Sequence, residues 1–140
     1  MSFPYMNPTV FVWTPDDPDA NLADVPLFEA PSSFSITDFE VFSRSAVTGA
    51  NADYVDMKLH KLGNTTHTYA ALNVIAGVNI TANTWQALTL NTTSQPVTAG
   101  DTVALSVTFK DAANLNFGAT AGTVLYQLRG VQGRNADTGE

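Results

Sequence analysis

Residues 99–109 read AGDTVALSVTF, and this stretch decides the fold class. After a turn at Ala99, Gly100 and Asp101, the apolar Val103, Leu105, Val107 and Phe109 alternate with Ala104, Ser106 and Thr108. Successive side chains of a strand point to opposite faces, so a period of two describes a strand with one dry and one wet side. An amphipathic helix would bring apolar residues back every three or four positions instead. The same alternation runs from Asp53 to Leu62, where Val55, Met57 and Leu59 interleave with Asp56, Lys58 and His60 before Gly63 and Asn64 end the run. Further strands are expected over 33–43, 66–75 with a break near Leu72, 85–90 and 123–129, the last with Val124, Tyr126 and Leu128 on one side. Within 33–43, Phe34 and Ile36 occupy one parity and Phe39 and Val41 the other. A bulge around Thr37 and Asp38 accounts for that change.

Turn signals at 48–51, 63–65, 77–83, 91–100 and 111–122 space these strands as in an all-β fold. No strand alternates with an amphipathic helix, and Lys and Glu, the usual surface residues of helices, are scarce. The expected fold is an antiparallel β-sandwich, jelly-roll-like, spanning residues 32–131. An extended Pro-rich arm precedes it over residues 1–31, and a flexible tail follows over 132–140.

The arm is set apart by charge and by proline. Residues 1–43 hold Asp16, Asp17, Asp19, Asp24, Glu29, Asp38 and Glu40 and no Lys or Arg, so they carry the whole net charge of -7, and the remainder is neutral. Six of the seven prolines, from Pro4 to Pro31, fall here. Each removes an amide donor and fixes its own φ, which excludes a long helix or an interior strand. The segment also carries Phe3, Tyr5, Phe11, Trp13, Leu27 and Phe28. Such large apolar groups need cover, supplied either by the chain's own domain or by a neighbouring molecule. The acidic balance disfavours nucleic acid and anionic membranes as partners. No apolar run approaches a spanning helix, and the basic start and apolar block of a cleaved signal peptide are missing.

Chemistry-bearing motifs are sparse, and no cofactor is expected. The chain has no cysteine and two histidines, His60 and His67, which flank the turn at Gly63. Two imidazoles fall short of the three or four ligands of a transition-metal site, so solvated side chains on a hairpin are the expectation. Asp17, Asp19, Asn21 and Asp24 lack the glycine and the closing glutamate of an EF-hand loop. Neither a GxSxG elbow nor a phosphate-binding glycine loop occurs, so an enzyme is not expected. Sequons at Asn64, Asn79 and Asn91 need no explanation beyond the abundance of Asn and Thr. Trp85, with Tyr54 or Tyr69, could form a platform for stacking sugars, whereas a structural role would have Trp85 cap the core.

The segments YVDMKLHKLG, NTWQALTLN and VTAGDTVALSVTF, between Asp53 and Phe109, resemble small β-sandwich proteins of tailed-phage virions, including head decoration or cement proteins. That resemblance implies a jelly-roll body, commonly trimeric, on the outer capsid surface, with an arm reaching a neighbouring subunit. The expected partners are then the major capsid protein and further copies of the chain. Phe3, Tyr5, Phe11, Trp13, Leu27 and Phe28 would make apolar contacts, and Asp16, Asp17 and Asp19 would meet basic groups. No catalytic residue comes with the family. The competing reading, from a different functional class, is a carbohydrate-binding or adhesin module, including a tail or fibre subunit.

Overall fold

The computed structural model describes residues 7–50, 54–75, 77–110 and 123–132. Eleven strands are present among them: β1 (Asn7–Trp13), β2 (Leu22–Glu29), β3 (Phe34–Ser43), β4 (Val47–Thr48), β5 (Tyr54–Lys61), β6 (Asn64–Val74), β7 (Asn79–Ile80), β8 (Thr84–Ala87), β9 (Thr89–Leu90), β10 (Thr102–Lys110) and β11 (Val124–Gln132). The helical content of the described residues is one 3-10 turn at Thr92–Ser94, capped by the Asn91 side chain. A first sheet has the order β1-β11-β3-β8, a second β2-β10-β5-β6-β9, and β4 pairs with β7 alone. All pairings are antiparallel.

The pairing is nested. β1 joins β11, β2 joins β10, β3 joins β8 and β5 joins β6, as in one long hairpin folded over on itself. Between the sheets lies a single core, with Phe39, Val41, Tyr126 and Leu128 from one side and Met57, Leu59, Val103 and Leu105 from the other. These inward positions are those the alternation predicted in β5 and β10. Ala104 is also buried, on the outward parity of β10, where it lies between Pro26 and His60.

The predicted bulge in β3 is present. The β3–β11 register shifts between Arg129 and Gly130, leaving Thr37 as the extra residue, and Thr37 Oγ1 donates to the Arg129 carbonyl at 3.2 Å. Phe34 and Ile36 before it, and Phe39 and Val41 after it, therefore all face inward. The β5–β6 hairpin turns at Leu62 and Gly63, where Gly63 adopts φ +78°, a conformation that costs glycine little. β6 runs unbroken past Leu72. The strand expected over 85–90 instead divides at buried Leu88, with β8 in the first sheet and β9 in the second.

The N-terminal segment takes the first of the two courses open to it. Over its described part it packs on the chain's own domain and extends the sandwich before residue 32, because β1 and β2 are hydrogen-bonded edge strands, one in each sheet. Proline excluded an interior strand but not an edge, where one row of amides needs no partner. Pro8 lies in β1 and Pro26 in β2, and both strands have a neighbour on one side only. Residues 1–6 and the tail residues 133–140 lie outside the described residues.

Candidate functional site

The side chains expected to bind a partner are divided by the two edge strands. Phe11 and Trp13 lie in register with Leu128 and Tyr126, so they face the core, and Phe11 packs on Phe28 at 5.4 Å between ring centroids. Trp13 meets Tyr126 at 6.1 Å, and Phe28 meets Phe34 edge-on at 5.8 Å. Leu27 is likewise half-buried against the core. These four are therefore corrected from partner contacts to core-covering side chains: Phe11, Trp13 and Phe28 because a strand paired with β11 or β10 turns one parity inward, and Leu27 because it is the extra residue at the register shift between Val103 and Ala104. Phe3 and Tyr5 lie outside the described residues. Asp16, Asp17 and Asp19 lie in the turn from β1 to β2, with Asp16 and Asp17 exposed and Asp19 half-buried. The Asp19 amide donates to Asp17 Oδ1 at 3.1 Å.

What β1 turns outward is apolar. Val10 and Val12 are 57% and 51% exposed. The outer face of the first sheet continues with Leu125, Phe42 and Trp85, which share one cross-strand row, and Phe42 and Trp85 meet at 5.2 Å. Beside this row Arg129 donates to Glu40 at 2.8 Å and approaches Asp38 at 3.5 Å. The sugar-stacking platform does not assemble. Tyr69 is wholly buried, and Tyr54 lies on the outward parity of β5 in the other sheet.

A polar site that sequence reasoning missed occupies the outer face of the second sheet. His60 has the wet-face parity of β5 yet is fully buried, which corrects the expectation of a solvated side chain. The cause is β2. Opposite Ser106 of β10 it places two residues, Ala23 and Asp24, instead of one, and Asp24 takes φ +49°, a left-handed conformation that Asp tolerates better than most residues. This bulge brings Asp24 Oδ1 to 3.3 Å from His60 Nε2. Ser106 Oγ lies 2.8 Å from the same nitrogen and accepts from the Asp24 amide at 3.0 Å. His60 Nδ1 lies 2.9 Å from the Lys61 carbonyl. A carbonyl only accepts, so Nδ1 is assigned a proton, and Nε2 faces both the Ser106 hydroxyl and the Asp24 carboxylate. Leu22, Ala23, Asp56, Lys58, Thr65, Ser106 and Thr108 line an open groove of about 280 Å³ beside it.

Serine, histidine and aspartate converge here without the order of a nucleophilic triad. In a triad the carboxylate holds Nδ1 while the nucleophile faces Nε2. In this chain a backbone carbonyl holds Nδ1, and Asp24 and Ser106 share Nε2. An alkoxide forming at Ser106 would develop beside a carboxylate, which opposes it. The arrangement is chemically a clasp that ties the β2 bulge to β5 and β10. His67 is half-buried and meets the Tyr69 ring edge-on at 5.2 Å. Among the described residues no three His, Cys, Asp or Glu side chains converge as a metal site.

Compared with protein-family models, with curated proteins and with solved structures, the chain matches none.

Proposed function

We propose that this chain is a non-enzymatic structural protein of a tailed-phage virion, a decoration protein on the outer head surface that stabilises contacts between major capsid subunits. The observation that carries the reading is the nested pairing of β1 with β11, β2 with β10, β3 with β8 and β5 with β6. That nesting supports reading the sandwich as a jelly roll, an architecture that serves viral capsid and lectin domains. The argument from fold to role is one of analogy, and the segments resembling virion β-sandwich proteins add to it. With the N-terminal rings spent on the core, the docking surface moves to the outer face of the first sheet, where Leu125, Phe42 and Trp85 form an apolar row. Asp16 and Asp17, exposed at the end of β1, suit a basic partner surface. A decoration protein stabilises a shell only as far as it binds the mature form better.

The test is particle composition and strength. Purified phage particles that encode this chain should contain it in stoichiometric amounts, labelled on the head by antibody. Particles lacking it should rupture at lower temperature and recover when purified protein is added. Absence of the polypeptide from purified particles would overturn the proposal.

Exposed Trp85, beside Phe42, favours one second reading, a glycan-binding jelly roll. It requires saturable binding to a glycan that Trp85→Ala removes without loss of fold.

A further inference from the structure

We infer that the groove on the outer face of the second sheet is a saccharide site, holding one neutral pyranose ring such as the end of a glycan. It lies on the sheet opposite Trp85 and is independent of where the protein works. Its floor is two cross-strand pairs of β5 and β10, Lys58 with Ser106 and Asp56 with Thr108. Its walls are irregularities in the strands on either side. The β2 bulge brings Leu22 and Ala23 to one side, and Thr65 stands on the other, near the start of β6, where the register with β5 slips twice. The buried clasp thereby gains a use. Ser106 Oγ accepts from the Asp24 amide at 3.0 Å and lies 2.8 Å from His60 Nε2, which fixes a floor group and the bulged wall beside it before any ligand arrives.

The lining selects the ligand by its charge and hydrogen-bonding character. Among the described residues that line the groove, the charges are one ammonium and one carboxylate, Lys58 Nζ and Asp56 Oδ2 at 4.0 Å, and Asp24 Oδ1 is turned to His60. These charges balance, so the groove favours ions of neither sign. Ser106, Thr108 and Thr65 each carry a hydroxyl, which both donates and accepts, while Asp56 only accepts and Lys58 only donates. That mixed set matches a ligand whose own groups are hydroxyls. An apolar ligand would leave the polar floor unpaired. A peptide strand would need a free backbone edge, and β5 and β10 are interior strands whose edges are spent on their neighbours. Leu22 and Ala23 offer a short apolar wall to the C–H side of a ring. The volume of about 280 Å³ falls just under the range of drug-sized pockets and suits a single ring.

Amide NMR spectra of the full chain, titrated with glucose, galactose, mannose and N-acetylglucosamine, test this. Saturable shifts at residues 22–23, 56–58 and 106–108 are expected with at least one of the four, with a dissociation constant on the order of 1 mM for so small a ligand. The constant should not move with salt, because the ligand is uncharged. Asp56→Ala and Thr108→Val should each raise it about tenfold, and Thr108→Val keeps the branched side chain that suits a strand. Ala23→Phe should fill the groove and abolish binding, and Trp85→Ala should leave it unchanged. No saturable shift with any of the four, shifts confined to other residues, a constant indifferent to Thr108→Val in folded protein, or binding lost in Trp85→Ala would each overturn the inference, and the last would favour the Trp85 reading instead.

Discussion

Replacing Tyr69 by phenylalanine should stabilise the protein, and more so as pH rises. Tyr69 is wholly buried, and its hydroxyl has no hydrogen-bond partner among the described residues. A buried polar group left unpaired costs about 1–3 kcal/mol in lost hydration. Tyr69→Phe removes that cost while keeping the ring, its burial and its edge contact with His67. The loss of one oxygen leaves a small void, so a net gain of about 1 kcal/mol is expected, or about 3–5 °C in melting temperature. The pH dependence has a definite sign. Burial first, and the Asp101 carboxylate second, push the Tyr69 phenol up from its ordinary 10.0 to about 12. Its contribution is therefore intact below pH 10 and lost as pH climbs to 12, because the unfolded chain ionises first. That two-unit gap corresponds to about 3 kcal/mol at most. Burial raises the Tyr126 phenol in the same direction and further, so Tyr126 adds to the alkaline loss in both proteins. Urea denaturation followed by circular dichroism at pH 8 and pH 11 measures both effects. The variant should be the more stable at pH 8, and its advantage should widen at pH 11. A variant less stable at pH 8 by more than about 1 kcal/mol, or an advantage that does not grow with pH, would show that the hydroxyl is satisfied and the reasoning wrong.

Gly130→Ala should destabilise by about 2–3 kcal/mol, because the added Cβ would lie 2.5 Å from the Phe34 ring and 2.5 Å from the Ser35 carbonyl, and the backbone atom cannot rotate away. A melting temperature within a degree of wild type would contradict that packing. Ser106→Ala should cost about 1–3 kcal/mol by leaving His60 Nε2 and the Asp24 amide short of a partner, as read from the urea midpoint. Covalent labelling of Ser106 by a fluorophosphonate would instead make it a nucleophile and sink the clasp reading. Deleting residues 1–31 should abolish cooperative unfolding, since β1 and β2 close one edge of each sheet; a truncated chain with a sharp melt would show that the sandwich folds without them.

Strand identity was legible wherever parity alone decides it. Val55, Met57 and Leu59, and again Val103, Leu105 and Val107, are buried as their alternation requires, and the parity change at Thr37 located a bulge that the register confirms. The course of the N-terminal segment was not legible because proline density describes which amides are missing, and a sheet edge needs few. The candidate site was invisible for a related reason. His60 has the parity of a wet position, and it is buried because a bulge in β2, distant in sequence, folds Asp24 over it.

The chain by itself therefore determined that it makes strands, where most of them lie and which of their faces are dry, because alternation is a local property of consecutive residues. Only the tertiary structure decided that the acidic, proline-rich segment supplies two of those strands, that His60, Ser106 and Asp24 meet, and that Val10 and Val12 are left uncovered. Each depends on which strand lies beside which, a choice made by nested long-range pairing that no short window of residues encodes.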